Sequence, residues 1–262
     1  DLSVGAVIAL TSVTAAMVMV ALAGMFPDAV WLVILIGCLA GFAAAGVVGL
    51  VNGIGVAHFG VSPFIMTLGV GSVVTGISLF LTGGVPVSGI PYAFGNFFGF
   101  GRIFGIPVPV LLAIVVIAAM WVLMARTRLG AHIYAVGGNE KAAKLSAINT
   151  RRTLIMAYGM CALIASLTGL LLTARVESGE ANLGGSVALE SIAACVIAGV
   201  SLRGGIGRVE NVVLGAIFIT LAQNGMNLAQ VSSYMQMALL GGVLILAVVF
   251  DQIRYRMMMG RA

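Results

Sequence analysis

RTRLGAHIYAVGGNEKAAKLSAINTRR, residues Arg126–Arg152, is the one long polar island in a chain that is 61% hydrophobic and only 8% charged. Six of the thirteen Lys and Arg residues sit in it: Arg126, Arg128, Lys141, Lys144, Arg151 and Arg152. Apolar runs flank it on both sides, Val108–Met124 and Leu154–Thr173. A basic island between two such runs reads as a loop joining two membrane-spanning helices. Within it, Asn139–Ser146 predicts a short helix. Asn139 is a good N-cap, Glu140 lies in the first turn where the helix dipole favours an anion, and Ala142 and Ala143 are strong helix formers. Gly137 and Gly138 before it are expected to let the backbone turn sharply out of the preceding span. The plainer reading is an ordinary loop with a capped turn; the sharper one is a docking helix laid along the membrane surface for a soluble partner.

Working outward, the composition lies outside the range of soluble domains. Eight apolar runs can be marked, most of them long enough to cross a hydrocarbon core. The predicted fold class is all-α, a polytopic membrane helical bundle, because the short alternating segments of a β-barrel are missing. The runs are Ala6–Met25, Val30–Val51, Pro63–Leu81, Val108–Met124, Leu154–Thr173, Val187–Val200 (short for a crossing, and so read as extending over Gly184–Leu202), Val212–Leu228 and Met235–Phe250. The second carries Gly37 and Gly41, spaced to let another helix approach closely. Residues 52–62 read as a polar break, and residues 82–107 as a long loop rich in Gly, Pro and aromatics.

Charge sets the orientation. With the island in the cytoplasm, strict alternation places eleven of the thirteen Lys and Arg inside, among them Arg203, Arg208, Arg254, Arg256 and Arg261. Only Arg102 and Arg175 then lie outside, in keeping with the positive-inside rule. Both visible termini are expected in the cytoplasm. The net charge of +5 therefore reports topology and is no nucleic-acid signal. Cys38, Cys161 and Cys195 each fall inside an apolar run, which reads as packing rather than a disulfide framework or a metal site.

Several chemistries are excluded. No phosphate-binding G-x-x-x-x-G-K-[ST] occurs, nor H-E-x-x-H, nor G-x-S-x-G, so the expected protein is no enzyme and needs no cofactor. Ionisable residues are almost missing from the runs, Glu190 lying nearest, whereas ion-coupled carriers and pumps keep such groups at mid-membrane.

The island resembles the cytoplasmic segment of permease subunits of ribose-type ABC importers, T-R-L-G-x-x-I-Y-A-x-G-G-N-x-x-A-A-x-x-S-G-I. Here it runs Thr127-Arg128-Leu129-Gly130, Ile133-Tyr134-Ala135, Gly137-Gly138-Asn139, Ala142-Ala143 and Ser146-Ala147-Ile148, with Ala147 where that family has Gly. That departure reads as a mild one in a helix-friendly direction. Asp1–Gly5, Pro63–Gly69, Gly199–Gly207, Asn224–Leu228 and Val231–Tyr234 resemble further family segments in order. The resemblance covers essentially the whole chain. It implies a single transmembrane permease domain over residues 1–262 with a cytoplasmic coupling loop at 126–152, and two further spans before Asp1, ten in all. It also implies a bacterial cytoplasmic (inner) membrane location and a second permease subunit, identical or related. Two cytoplasmic ATP-binding-cassette ATPase subunits and an extracytoplasmic sugar-binding protein complete the assembly. The expected function is import of a sugar, a ribose-like pentose, a hexose or a related polyol.

Gly138, Asn139, Glu140, Ala142, Ala143 and Ser146 are then the expected ATPase-coupling residues. A sugar route needs neutral hydrogen-bonding groups, since unpaired charge at mid-membrane is costly. The candidates are Asn52, Phe64 and Thr67 around the start of the third run, and Asn224 and Asn227 near the end of the seventh. Phe64 could stack on a sugar face. Asn224 and Asn227, three apart, face roughly the same way, or else tie neighbouring helices together. The competing classes are a stand-alone secondary carrier or channel for a small neutral solute, and a membrane-embedded enzyme. Missing mid-membrane charge speaks against the first, and the lack of a catalytic pair against the second.

Overall fold

From Gly5 to Ala16 hardly any face of α1 (Val4–Ala23) is exposed, as befits a helix that is apolar all round. The computed structural model describes the backbone of residues 1–259 and most side chains to Val249. It falls into two compact units, residues 1–116 with 151–188, and residues 117–150 with 189 onward.

In the first unit α1 is the central helix, packed by α2 (Val30–Ala57), α3 (Pro63–Thr82) and α8 (Thr150–Val176). Small residues make the approach close. A Cβ on Gly41 would sit 2.9 Å from the Thr11 methyl group, and one on Gly37 would sit 3.0 Å from the Ala15 carbonyl. The Gly37-x-x-x-Gly41 spacing therefore does what the sequence predicts, admitting α1 to the face of α2. On the other side Gly169 of α8 admits the Ile8 carbonyl of α1, 2.7 Å from where its Cβ would be. Hydroxyls tie the same helices: Thr11 donates to Ser166 (3.1 Å) and Thr173 to Ser12 (2.6 Å). In a bilayer each such interhelical bond contributes about 0.6 kcal/mol, so close van der Waals contact carries most of the association.

Residues 83–107, expected as a loop, contain a short turn of helix, α4 (Tyr92–Phe94), a π turn at Gly95–Gly99, and a hairpin of β1 (Arg102–Ile103) and β2 (Ile106–Pro107). The hairpin leads into α5 (Val108–Arg126) through a bond from Val108 N–H to the Gly101 carbonyl (2.9 Å). Arg175 lies 4.4 Å from the centre of the Phe100 ring, so this connection is anchored on the end of α8.

The second unit holds α6 (Arg128–Gly138), α7 (Glu140–Leu145), α10 (Val209–Leu228), α11 (Ser233–Met259) and most of α9 (Val187–Ile197). Ala193, Ala194 and Ile219 form its buried centre, with Leu240 against them.

The all-α membrane class holds, with several boundaries corrected. Among the described residues six helices, α1, α2, α3, α5, α8 and α10, are long and apolar enough to cross a membrane. α9, expected to span 184–202, is only eleven residues long, because glycines at 184, 185 and 199 interrupt its regular backbone. The polar break expected from Asn52 does not begin there: α2 runs on to Ala57, since Asn52 finds a hydrogen bond inside the fold. The basic tail expected after Phe250 is helical to Met259, continuing α11, while Arg261 lies outside the described residues.

Candidate coupling helix and solute route

Three short stretches position the polar island. Thr127 caps α6, its hydroxyl accepting from Gly130 N–H (3.2 Å). Tyr134 on α6 donates to the Gly207 carbonyl (2.8 Å), fixing the second basic turn, residues 201–208, on this helix. Gly137 and Gly138 do not make the sharp turn expected of them. They close the last turn of α6, and the missing side chain of Gly137 makes room for Gly204 and Gly205. Those two glycines hold φ of +94° and +74°, and a Cβ on Gly205 would lie 2.5 Å from Gly138 Cα.

The chain reverses at Asn139, whose extended backbone (φ −160°, ψ 100°) makes it the N-cap of α7, and its side chain accepts from Ala142 N–H (3.0 Å). Glu140 sits at the positive end of the helix dipole, bridged to Lys144 at 2.7 Å and hydrogen-bonded by the Thr150 hydroxyl at 3.2 Å. The Lys144 hydrogen bond above all, opposed by desolvation and helped by the Lys144 charge and the Thr150 hydroxyl, holds the Glu140 carboxyl below its ordinary range.

The far end is closed as firmly. Ala147 N–H reaches the Lys144 carbonyl (3.1 Å) and Ile148 N–H the Ala143 carbonyl (3.1 Å), the two bonds of a Schellman cap. Ala147 takes the left-handed position at φ +59°. The Gly-to-Ala difference noted at this position is therefore not helix-friendly, because the residue stands just past the helix, where Gly is the relaxed choice.

A helix of only six residues is thus held by caps at both ends and a side-chain clip. Of the expected coupling residues, Gly138, Asn139, Glu140, Ala142 and Ser146 are exposed. Ala143 is buried at 4% exposure and packs inward. Leu145, 90% exposed at the end of α7, is not among the expected residues. Its signal is in the sequence all the same, as an aliphatic residue inside a polar island.

The expected route residues separate. Asn52 and Thr67 are both buried and meet at the start of α1. Asn52 donates to the Ser3 hydroxyl (2.8 Å), which donates to Asp1 (2.6 Å), and Leu2 N–H donates to the Thr67 hydroxyl (3.1 Å). Phe64 stands apart from this cluster, 64% exposed on the first turn of α3. Asn224 and Asn227 lie on α10, and Asn227, exposed, accepts from Gln236 of α11 (2.8 Å), so one of the pair ties two helices.

A second polar feature goes beyond those expectations. In the first unit a cleft of about 650 Å³ opens between α1, α3 and the irregular segment 181–186, with Ser72, Thr75 and Asn182 as its polar side chains. Its floor is glycine: Gly5 of α1 and Gly184 touch backbone to backbone.

Comparison with known proteins places this architecture. A family model described as branched-chain amino acid transport system, permease component, matches residues 1–248. The chain belongs to this permease family. The permease is 39% identical over 254 residues to the ribose import permease protein RbsC of Escherichia coli K12, covering 96% of this chain and 76% of that one. It is 38% identical to the D-allose transport system permease protein AlsC of the same organism, covering 97% and 75%. Against the galactose/methyl galactoside import permease protein MglC of Salmonella typhimurium it is 39% identical, covering 97% and 79%. No solved structure matches significantly. The permease is a non-catalytic, multi-pass membrane component of a transport system.

Proposed function

We propose that this permease is the membrane subunit of an ATP-binding-cassette importer that carries a sugar into the cytoplasm, with α7 as the surface gripped by separate ATPase subunits. The observation that supports it is the construction of α7: a helix too short to persist alone is locked by Asn139, the Glu140–Lys144 bridge and a Schellman turn. Such rigidity suits a lever that passes an external power stroke to the spans. Its outward residues are Lys141, Ala142, Leu145 and Ser146. Gly138, Asn139 and Glu140 set the entry and lock, while Ala143 seats the helix on its own unit.

The sugar class follows the ribose, allose and galactose relatives. In this reading the chain lies in the bacterial cytoplasmic membrane with α7 and both visible ends inside, and crosses eight times, counting the 184–202 segment and α11. A second permease subunit completes the membrane pore, and an extracytoplasmic sugar-binding protein delivers the solute. Phe64 and Asn224 are route residues; Asn52, Thr67 and Asn227 hold the helices that frame the route.

The test is uptake of labelled ribose, allose and galactose into proteoliposomes that hold the permease with its ATPase subunits and binding protein. ATP-dependent accumulation of one of them supports the reading. Sugar entry driven by an ion gradient without the ATPase would instead establish a secondary carrier.

A further inference from the structure

We propose that the cleft between α1, α3 and segment 181–186 is a sugar-binding station on the transport route, in which Thr75 and Asn182 hydrogen-bond the solute's hydroxyls. The proposal rests on the importer reading and assigns that function a site.

The hydroxyls of α3 carry the first part of the argument. Thr67, Ser72, Ser78 and Thr82 each donate to the carbonyl four residues back, on Pro63, Leu68, Val74 and Ser78, at 2.9 to 3.1 Å. That is the usual way a membrane helix satisfies a hydroxyl. Thr75 is the exception on this helix: its hydroxyl makes no such bond, and the residue lines the cleft. Across the cleft, the Asn182 side-chain amide likewise has no partner among the described residues. An amide turned toward lipid with nothing to bond is strongly disfavoured. Two uncommitted polar groups on facing walls therefore point to an aqueous, ligand-filled space.

The backbone carries the second part. Between Val176 and Val187 the chain is irregular, held at one end by pairing of Gly179 with Val87 (2.8 and 2.9 Å) and by Glu180 N–H on the Ser12 hydroxyl (3.0 Å). From Asn182 onward only turn bonds remain, Gly185 N–H to the Asn182 carbonyl (3.4 Å) and Val187 N–H to the Gly184 carbonyl (3.2 Å). Non-helical backbone at membrane depth persists where it is buried in protein or lines a water-filled cavity, and broken helices are a recurring place for solute sites.

Size and charge select the ligand class. The volume of about 650 Å³ falls in the range of small-molecule sites and admits a pyranose with its water. No ionisable side chain lines the cleft among the described residues. An amino acid would bring an ammonium and a carboxylate to walls that offer neither a counter-charge, a desolvation cost no hydroxyl or amide offsets. A neutral polyhydroxylated solute has no such cost, and the glycine floor leaves flat backbone for a sugar ring. The cleft beside Trp31, Cys38 and Phe98 in the same unit is lined almost wholly by apolar side chains and offers a sugar no comparable partners.

Thr75→Val, Asn182→Leu and the double variant are to be assayed in the complete importer for uptake and for ATP hydrolysis stimulated by sugar-loaded binding protein. Each substitution is expected to cut uptake about tenfold, the worth of one hydrogen bond in the route, with stimulated hydrolysis kept. Thr75→Ser and Asn182→Gln should restore transport. In a background with the three native cysteines replaced by serine, Asn182→Cys should react with a water-soluble methanethiosulfonate, and millimolar transported sugar should slow the reaction. Wild-type uptake by the double variant in an active importer overturns the site alone. So does an Asn182→Cys variant whose new thiol the reagent cannot reach or sugar fails to protect. A parent complex that moves no sugar overturns the importer reading and the site with it.

Discussion

Ala147 holds a left-handed conformation that costs a residue with a Cβ about 1 kcal/mol relative to glycine. Ala147→Gly should therefore strengthen the C-terminal cap of α7, read as slower hydrogen exchange at Ser146, Ala147 and Ile148 with the rest of the permease unchanged. Faster exchange there would contradict the assigned cap. Glu140 gives a second residue-scale expectation. Its folded value lies below the ordinary one, so the bridge to Lys144 stabilises α7 above the unfolded carboxylate value of about 4.3 and fades as pH falls through the lower folded value. Both groups are largely exposed, which keeps the effect small. The protection factor in α7, exchange measured against the intrinsic rate at each pH, should fall on acidification, and Lys144→Met should flatten that dependence. The N-cap and the acidic first turn are legible in the sequence because they are local. The strain at Ala147 is not, because one extra helical residue and one left-handed residue look alike in a string of letters.

At the scale of elements, α7 presents Ala142 and Leu145 outward while Ala143 is tucked in. Leu145→Asp should lower uptake and assembly with the ATPase while leaving expression and the melting temperature near wild type. Ala143→Arg should lower the melting temperature itself, because it forces a charge into a buried position. Equal effects of the two on stability would remove the distinction. Length and hydropathy make the long helices legible, and the Gly37–Gly41 spacing announces its own packing. α9 falls short of its expected span because apolar residues on either side of glycines read as one run, whereas the backbone of Gly184, Gly185 and Gly199 leaves the helix. Asn52 marks a break by its polarity alone. Only the fold reveals Ser3, forty-nine residues away, as its partner. The cleft is illegible in the sequence for the same reason, since Thr75 and Asn182 lie far apart in the chain and line one space only once α3 and segment 181–186 are brought together.

For the whole molecule, composition and motif carry the membrane class, the family and the place of the capped helix α7. The fold brings the expected Asn52 and Thr67 together at the start of α1, where the Asn52 amide nitrogen donates to Ser3 and Thr67 accepts from Leu2 N–H, while the buried Asn52 Oδ1 has no hydrogen-bond partner among the described residues. The sequence holds no nucleotide-binding G-x-x-x-x-G-K-[ST] motif. The central claim is that the power comes through α7 from a separate ATPase. The most direct measurement is sugar accumulation in proteoliposomes together with ATP consumed, for the permease alone, for the permease with ATPase and binding protein, and for that complex carrying Leu145→Asp. The account predicts neither hydrolysis nor accumulation by the permease alone, both in the complete complex, and loss of accumulation with Leu145→Asp. ATP hydrolysis by the purified permease, or full accumulation by the Leu145→Asp complex, would contradict it.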